Sequence, residues 1–78
     1  MPRYFFDTYD GDEAVVDPVG HEMPDFEAVK VEAARCIADL AKKALPSTER
    51  RELTMEVRDA QSRAVLRAVI MVEIFAQP

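Results

Sequence analysis

Residues 24–46 read PDFEAVKVEAARCIADLAKKALP, and this stretch decides the fold. At 100° per residue, Phe26, Val29, Ala33, Cys36, Ile37, Leu40 and Ala44 fall within an arc of roughly 100°, the width of a core-facing helical stripe. Asp25 stands directly before the first periodic residue, where its carboxylate caps the free amides of the first turn. Lys42 and Lys43 suit the negative end of the helix dipole, and Pro46 bars continuation, which predicts a helix ending near Leu45. A helix with one apolar stripe needs a surface to cover, and the flanking segments supply it.

On the amino-terminal side, Arg3–Tyr9 is rich in aromatic residues that favour pleated, half-buried positions, and it stops at Asp10-Gly11, a strong hairpin signal. Glu13–Val16 reads as a short return strand ending in the turn Asp17-Pro18-Val19-Gly20. On the carboxyl-terminal side, after a polar loop Ser47–Arg51, Leu53, Met55 and Val57 alternate with Thr54, Glu56 and Arg58, the period of a strand with one buried face. Asp59–Ser62 is a turn without glycine, so it must use a type I geometry or place Gln61 or Ser62 in an unfavoured dihedral. Val65–Phe75 forms a long last strand. The sum is an α+β domain, ββαββ, with a four-stranded antiparallel sheet carrying one helix on one face. The expected strand order is 2-1-3-4, because a right-handed helical connection sets the third strand beside the first.

The 78 residues allow one domain, residues 1–78, whose small core is marginal unless a disulfide, a metal or a partner adds stability. Cys36 is the only cysteine, which excludes an internal disulfide and a cysteine zinc site. The remaining supplement is another protein chain. The last strand points the same way: Leu66, Ala68, Ile70, Val72 and Ile74 lie on one side, while Val65, Val69 and Met71 lie on the other with Arg67 and Glu73. One helix cannot cover both faces. Phe5 and Tyr9 add to the surplus on the second face, so Phe5, Tyr9, Val65, Val69 and Met71 are the expected interface of a homodimer formed through the bare face or the last strand. The alternative is that the carboxyl-terminal segment folds over that face within the monomer.

Charge narrows the partners. Eight acids against Arg3 alone leave residues 1–27 near −7, whereas residues 28–78 are near +2. Overall attraction to phosphate backbones is absent, which disfavours nucleic acid as a general partner. The longest apolar run, Ala68–Val72, is far short of the roughly 20 residues of a membrane span. No secretory leader is read at the amino terminus, and the expected location is the cytoplasm.

The chemistry-bearing residues are few. His21 is the only histidine, with Asp17 and Glu22 close in sequence, but Ser47 and Ser62 lack a nucleophile-elbow context, and Cys36 lies on the helical stripe as a small hydrophobe with a raised pKa. His21 therefore reads as a polar residue just past a turn. Asp7, Asp10, Asp12 and Glu13 are the one group with a cation-binding character. Their spacing is not that of an EF-hand loop, and solvated hairpin acids are the simpler reading. No catalytic set, metal or cofactor is expected. Asp10, Asp12, Glu13 and His21 stand as a weak polar site.

The opening MPRYFF, Asp10-Gly11, the Asp17-x-x-Gly20 turn, Pro24-Asp25 at the helix start and Glu32-Ala33 within it together resemble a family of very small alphaproteobacterial proteins described only as a domain of unknown function. The resemblance runs from Met1 to about Asp59. Relatives carry His at the place of Asp7 and Gly at that of Ser62, so no role of that histidine passes to this chain. The resemblance implies no activity, cofactor or catalytic residue. The reading that follows is a non-enzymatic protein-interaction or regulatory module that pairs with itself or with another protein. The alternatives are an antitoxin-like or nucleic-acid-linked regulator, by analogy of layout alone, and a small metal-binding protein or enzyme using His21 or the Asp10–Glu13 cluster.

Overall fold

The computed structural model describes residues 1–44 and 50–78. The expected helix stop at Leu45-Pro46 and the loop from Ser47 onward fall largely outside these residues. The order along the chain is β1 (Arg3–Asp10), β2 (Glu13–Val15), β3 (His21–Glu22), α1 (Phe26–Ala44), β4 (Arg50–Arg58) and β5 (Ala64–Glu73). The α+β class stands, with one helix and an antiparallel sheet, but the sheet has five strands and the order is βββαββ. The return strand expected over Glu13–Val16 is broken. β2 pairs with the far end of β1 (Tyr9 opposite Ala14), the chain bulges away over residues 16–20, and β3 rejoins the near end of β1 (Tyr4 opposite His21). The long strands run in the order β2-β1-β4-β5, with β3 beside β2 on the outer edge of β1.

Both β3 and β4 are antiparallel to β1, so α1 links two parallel strands with β1 between them, a split βαβ unit. Asp25 caps the helix, its Oδ1 accepting from the Ala28 amide at 2.8 Å. The helix meets the sheet through Val29, Ala33, Ile37 and Ala41, spaced four apart. They close over Phe6 on β1 and Leu53, Met55 and Val57 on β4. Phe26, expected on the stripe, is instead 44% exposed, with the Lys30 ammonium 5.9 Å from its ring centre. Ala41, just outside the expected arc, is buried in its place.

β4 begins at Arg50, two residues earlier than the loop reading allowed, and β5 ends at Glu73, leaving Ile74 and Phe75 beyond it. The β4–β5 register slips between Val57, opposite Leu66, and Arg58, opposite Ala64, so Val65 is the extra residue of a bulge. In the preceding turn the Ser62 amide donates to the Asp59 carbonyl at 3.0 Å, while Asp59 Oδ1 accepts from the amides of Gln61 and Arg63. Ser62 takes the positive φ, +65°.

Candidate functional site

Three places hold what the sequence singled out: the hairpin tip, the groove beside the helix, and the sheet face turned away from it. The hairpin tip holds Asp10, Asp12 and Glu13. Asp10 and Glu13 face each other as the last pair of the ladder, and Asp10 Oδ2 accepts from Arg51 Nη1 at 2.7 Å. His21 pairs with Tyr4 at the opposite end of β1, about 20 Å away at the usual rise per residue. The fold does not bring the four together. Among the described residues no three His, Cys, Asp or Glu side chains converge to hold a metal.

His21 instead edges onto the Phe6 ring, centroids 6.0 Å apart, at one end of a groove of about 460 Å³ between α1 and the β2–β3 segment. Its floor is Phe6 and Met55, its walls Val16 and Pro18 on one side and Leu40 on the other. Cys36 lies on the helical wall, where burial pushes the thiol pKa up and a hydrogen bond from Sγ to Glu32 Oε2 (3.3 Å) raises it further. Glu32 is held below the usual carboxylate range chiefly by its hydrogen bond from Arg35, against the opposing effect of burial. The raised pKa and the carboxylate it faces both work against thiolate character at Cys36.

Asp17, which the sequence offers as a turn residue and as an acid close to His21, is the most connected carboxylate of the groove. Its Oδ2 accepts from the Phe6 amide at 3.1 Å, and its Oδ1 accepts from the amides of Val19 and Gly20. Burial works against its charge, but these three amides and the nearby His21 outweigh it and hold the Asp17 pKa below its ordinary value. The Asp17 carboxylate thus replaces the missing strand where the chain bulges. Its own amide donates to Asp7 Oδ1 at 2.9 Å. Asp7 is 5% exposed and is closed by Arg58, whose Nε donates to Asp7 Oδ2 at 2.7 Å and whose Nη2 donates to the Asp17 carbonyl at 3.1 Å. The hydrogen bond to Asp7 holds the Arg58 pKa above its ordinary value. This network has every member satisfied and binds β1, β4 and the bulge together. Its signal in the sequence was faint: acids in a hairpin and one arginine 51 positions from Asp7.

The face of the sheet opposite α1 carries Phe5, Tyr9, Val69 and Met71 of the expected interface, because β1 and β5 present alternate side chains there, and Val65 sits at the bulge. They do not form one apolar patch. The row Asp7–Glu56–Arg67 crosses the face. On one side of it Phe5 is covered by the Arg58 guanidinium, 4.6 Å from its ring centre, with Val65 at the bulge beyond. On the other side Tyr9, Thr54 and Val69 lie in one row, and Met71 follows on β5. Val69 is 55% and Met71 48% exposed. The second face, on which the sequence sets Arg67 and Glu73 among the apolar residues, is divided: its middle is ionic, and the exposed apolar residues gather toward β5.

The architecture and these sites define a small α+β protein with a split βαβ core, an apolar groove and an ionic network, and no assembled catalytic set among the described residues. The chain belongs to the DUF6894 family, a domain of unknown function whose model matches residues 3–71. That match extends the resemblance read from the sequence past Asp59 and through most of β5. Comparisons with curated proteins and with solved structures give no match. No helix among the described residues is long and apolar enough to cross a membrane.

Proposed function

We propose that this chain is a non-enzymatic protein-interaction module that works as a homodimer joined through its sheet. The observation that carries this reading is the concentration of exposed apolar side chains on and just past one bare strand: Val69 and Met71 on β5 and Ile74 and Phe75 beyond its end are each at least 48% exposed, and β5 has β4 as its sole neighbour among the described strands. A long apolar edge left in water invites pairing with another chain. The chemistry of the groove agrees, since its thiol has a raised pKa and its best-placed carboxylate, Asp17, is engaged by backbone amides. Sedimentation velocity on the full chain between about 1 and 100 µM tests it, a range that populates any dimer of micromolar or tighter affinity. A dimer mass supports the reading, and a monomer throughout removes it.

A further inference from the structure

The edge of β5 has a self-complementary charge pattern. Within Ala64–Glu73 the only charged residues are Arg67 and Glu73, opposite in sign and both on the face turned away from α1. We propose that β5 pairs antiparallel with β5 of a second copy of this chain about a two-fold axis at Ile70, so that Arg67 of each copy lies opposite Glu73 of the other. The inference rests on the homodimer reading and specifies its geometry.

The register follows by elimination. In an antiparallel self-pairing the two residue numbers of every opposed pair have a constant sum, and that sum must be even, or side chains of the core face would oppose those of the open face. An axis at Val69 sets Arg67 against Met71 and Glu73 against Val65, and an axis at Met71 sets Arg67 against Phe75 and Glu73 against Val69, both charge against hydrocarbon. An axis at Ala68 sets Arg67 against Val69 and Glu73 against Arg63, which lies beyond the bulge and is already bonded to Asp59 at 3.1 Å. Of these, only the axis at Ile70 opposes the two charges of the strand itself, Arg67 to Glu73, twice, and opposite charges across a strand pair stabilise it. The same register sets Val69 against Met71 twice on the open face and Ala68 against Val72 on the other. It gives Ile74, which lies past the strand end, a place opposite Leu66. Pairing stays clear of the bulge at Val65, where the ladder is already disturbed. An even sum also sets residues of like parity opposite each other, so the outward amides of one copy meet the outward carbonyls of the other. Both helices then lie on one side of a continuous sheet, and the two open faces join.

The test uses two full-length chains in a Cys36→Ser background, one carrying Val69→Cys and the other Met71→Cys, mixed under oxidised glutathione. Opposed side chains have Cβ atoms about 4.5–5.5 Å apart against roughly 7–8 Å for diagonal neighbours, and a disulfide needs the shorter distance. The expected result is a mixed disulfide that exceeds the sum of both homodisulfides about fivefold or more. As a second arm free of cysteine, Arg67→Glu and Glu73→Arg each weaken self-association about tenfold or more, and mixing the two restores it, because the mixed pair recovers both charge contacts. Predominant self-linking of Val69→Cys overturns the register in favour of an axis at Val69. Absence of cross-linking and of any charge effect in a protein that still sediments as a dimer overturns the β5 pairing and leaves the homodimer reading intact. A wild-type monomer overturns both.

Discussion

Among the described residues Gly11, Gly20 and Ser62 are held in left-handed backbone, and the last two make opposite demands on a substitution. Gly20 has φ +76°, and a Cβ built there would stand 2.9 Å from both the Phe5 ring and the Tyr4 carbonyl. Gly20→Ala therefore meets a dihedral penalty and a clash with backbone that cannot move aside. Its expected cost is about 2–4 kcal/mol, read as a lower urea midpoint at unchanged m-value. Ser62 accepts the same kind of dihedral, +65°, at the place where a type I turn followed by a left-handed residue favours glycine. Ser62→Gly is expected to stabilise by roughly 0.5–1 kcal/mol, the strain relieved less the added freedom of the unfolded chain. Opposite signs follow from one backbone preference, since the first substitution removes a glycine at positive φ and the second adds one, and the clash at Gly20 shows as the larger magnitude. Equal signs in the same urea titration would sink the explanation.

At the scale of elements, the outer edge of β1 depends on a carboxylate where a strand would otherwise run. Asp17 bonds the Phe6 amide in the gap between β2 and β3, so its protonation loosens the bulge and the docking of β3. The folded pKa lies below its ordinary value of 3.8, so the carboxylate contributes stability above the unfolded pKa, and that contribution is lost as pH falls through the folded one. Melting temperature is expected to fall below about pH 4 in the wild type and to show a shallower acid fall in Asp17→Asn, which keeps the shape but not the charge. At pH 7 that variant should be about 1–3 kcal/mol less stable, because one buried amide loses its acceptor. An unchanged acid slope in the variant would place the acid sensitivity elsewhere. The same edge shows where sequence reading reaches its limit. The Asp10-Gly11 turn, the Asp25 cap and the alternation of Leu53, Met55 and Val57 act over a few residues, so they were legible. β3 is two residues long and has no period to detect. The role of Asp17 depends on amides up to 11 positions away, and the burial of Asp7 depends on Arg58 from a different strand. Parity alone sets Phe5 with Tyr9 and Val69 with Met71 on one face, but the ionic row dividing them needed the strand register.

At the scale of the whole molecule, the shape argues for a partner. The radius of gyration is 14.0 Å, with extents of 53 × 24 × 17 Å, whereas a compact chain of this length has a radius near 11.5 Å. A thin, long body buries little: among the described residues the buried hydrophobic core is eight residues on α1, β1 and β4, and Leu66, Ala68 and Ile70 of β5 are only partly covered. Adding a second sheet edge beside β5 covers these residues and the exposed Val69 and Met71 together. Pairing then stabilises the folded chain further, and its stability depends on concentration by mass action. Each tenfold rise in protein concentration adds about 1.4 kcal/mol per dimer, which for two chains of this size moves the melting temperature by about 4 °C. Met71→Lys sets a like charge on each copy within reach of the other across the axis at Ile70 and near Arg67. It is expected to abolish the concentration dependence while the far-ultraviolet spectrum at low temperature keeps its α+β form, because Met71 is exposed in the single chain and its removal opens no cavity. A melting temperature that climbs with concentration in the variant as it does in the wild type would move the contact away from β5.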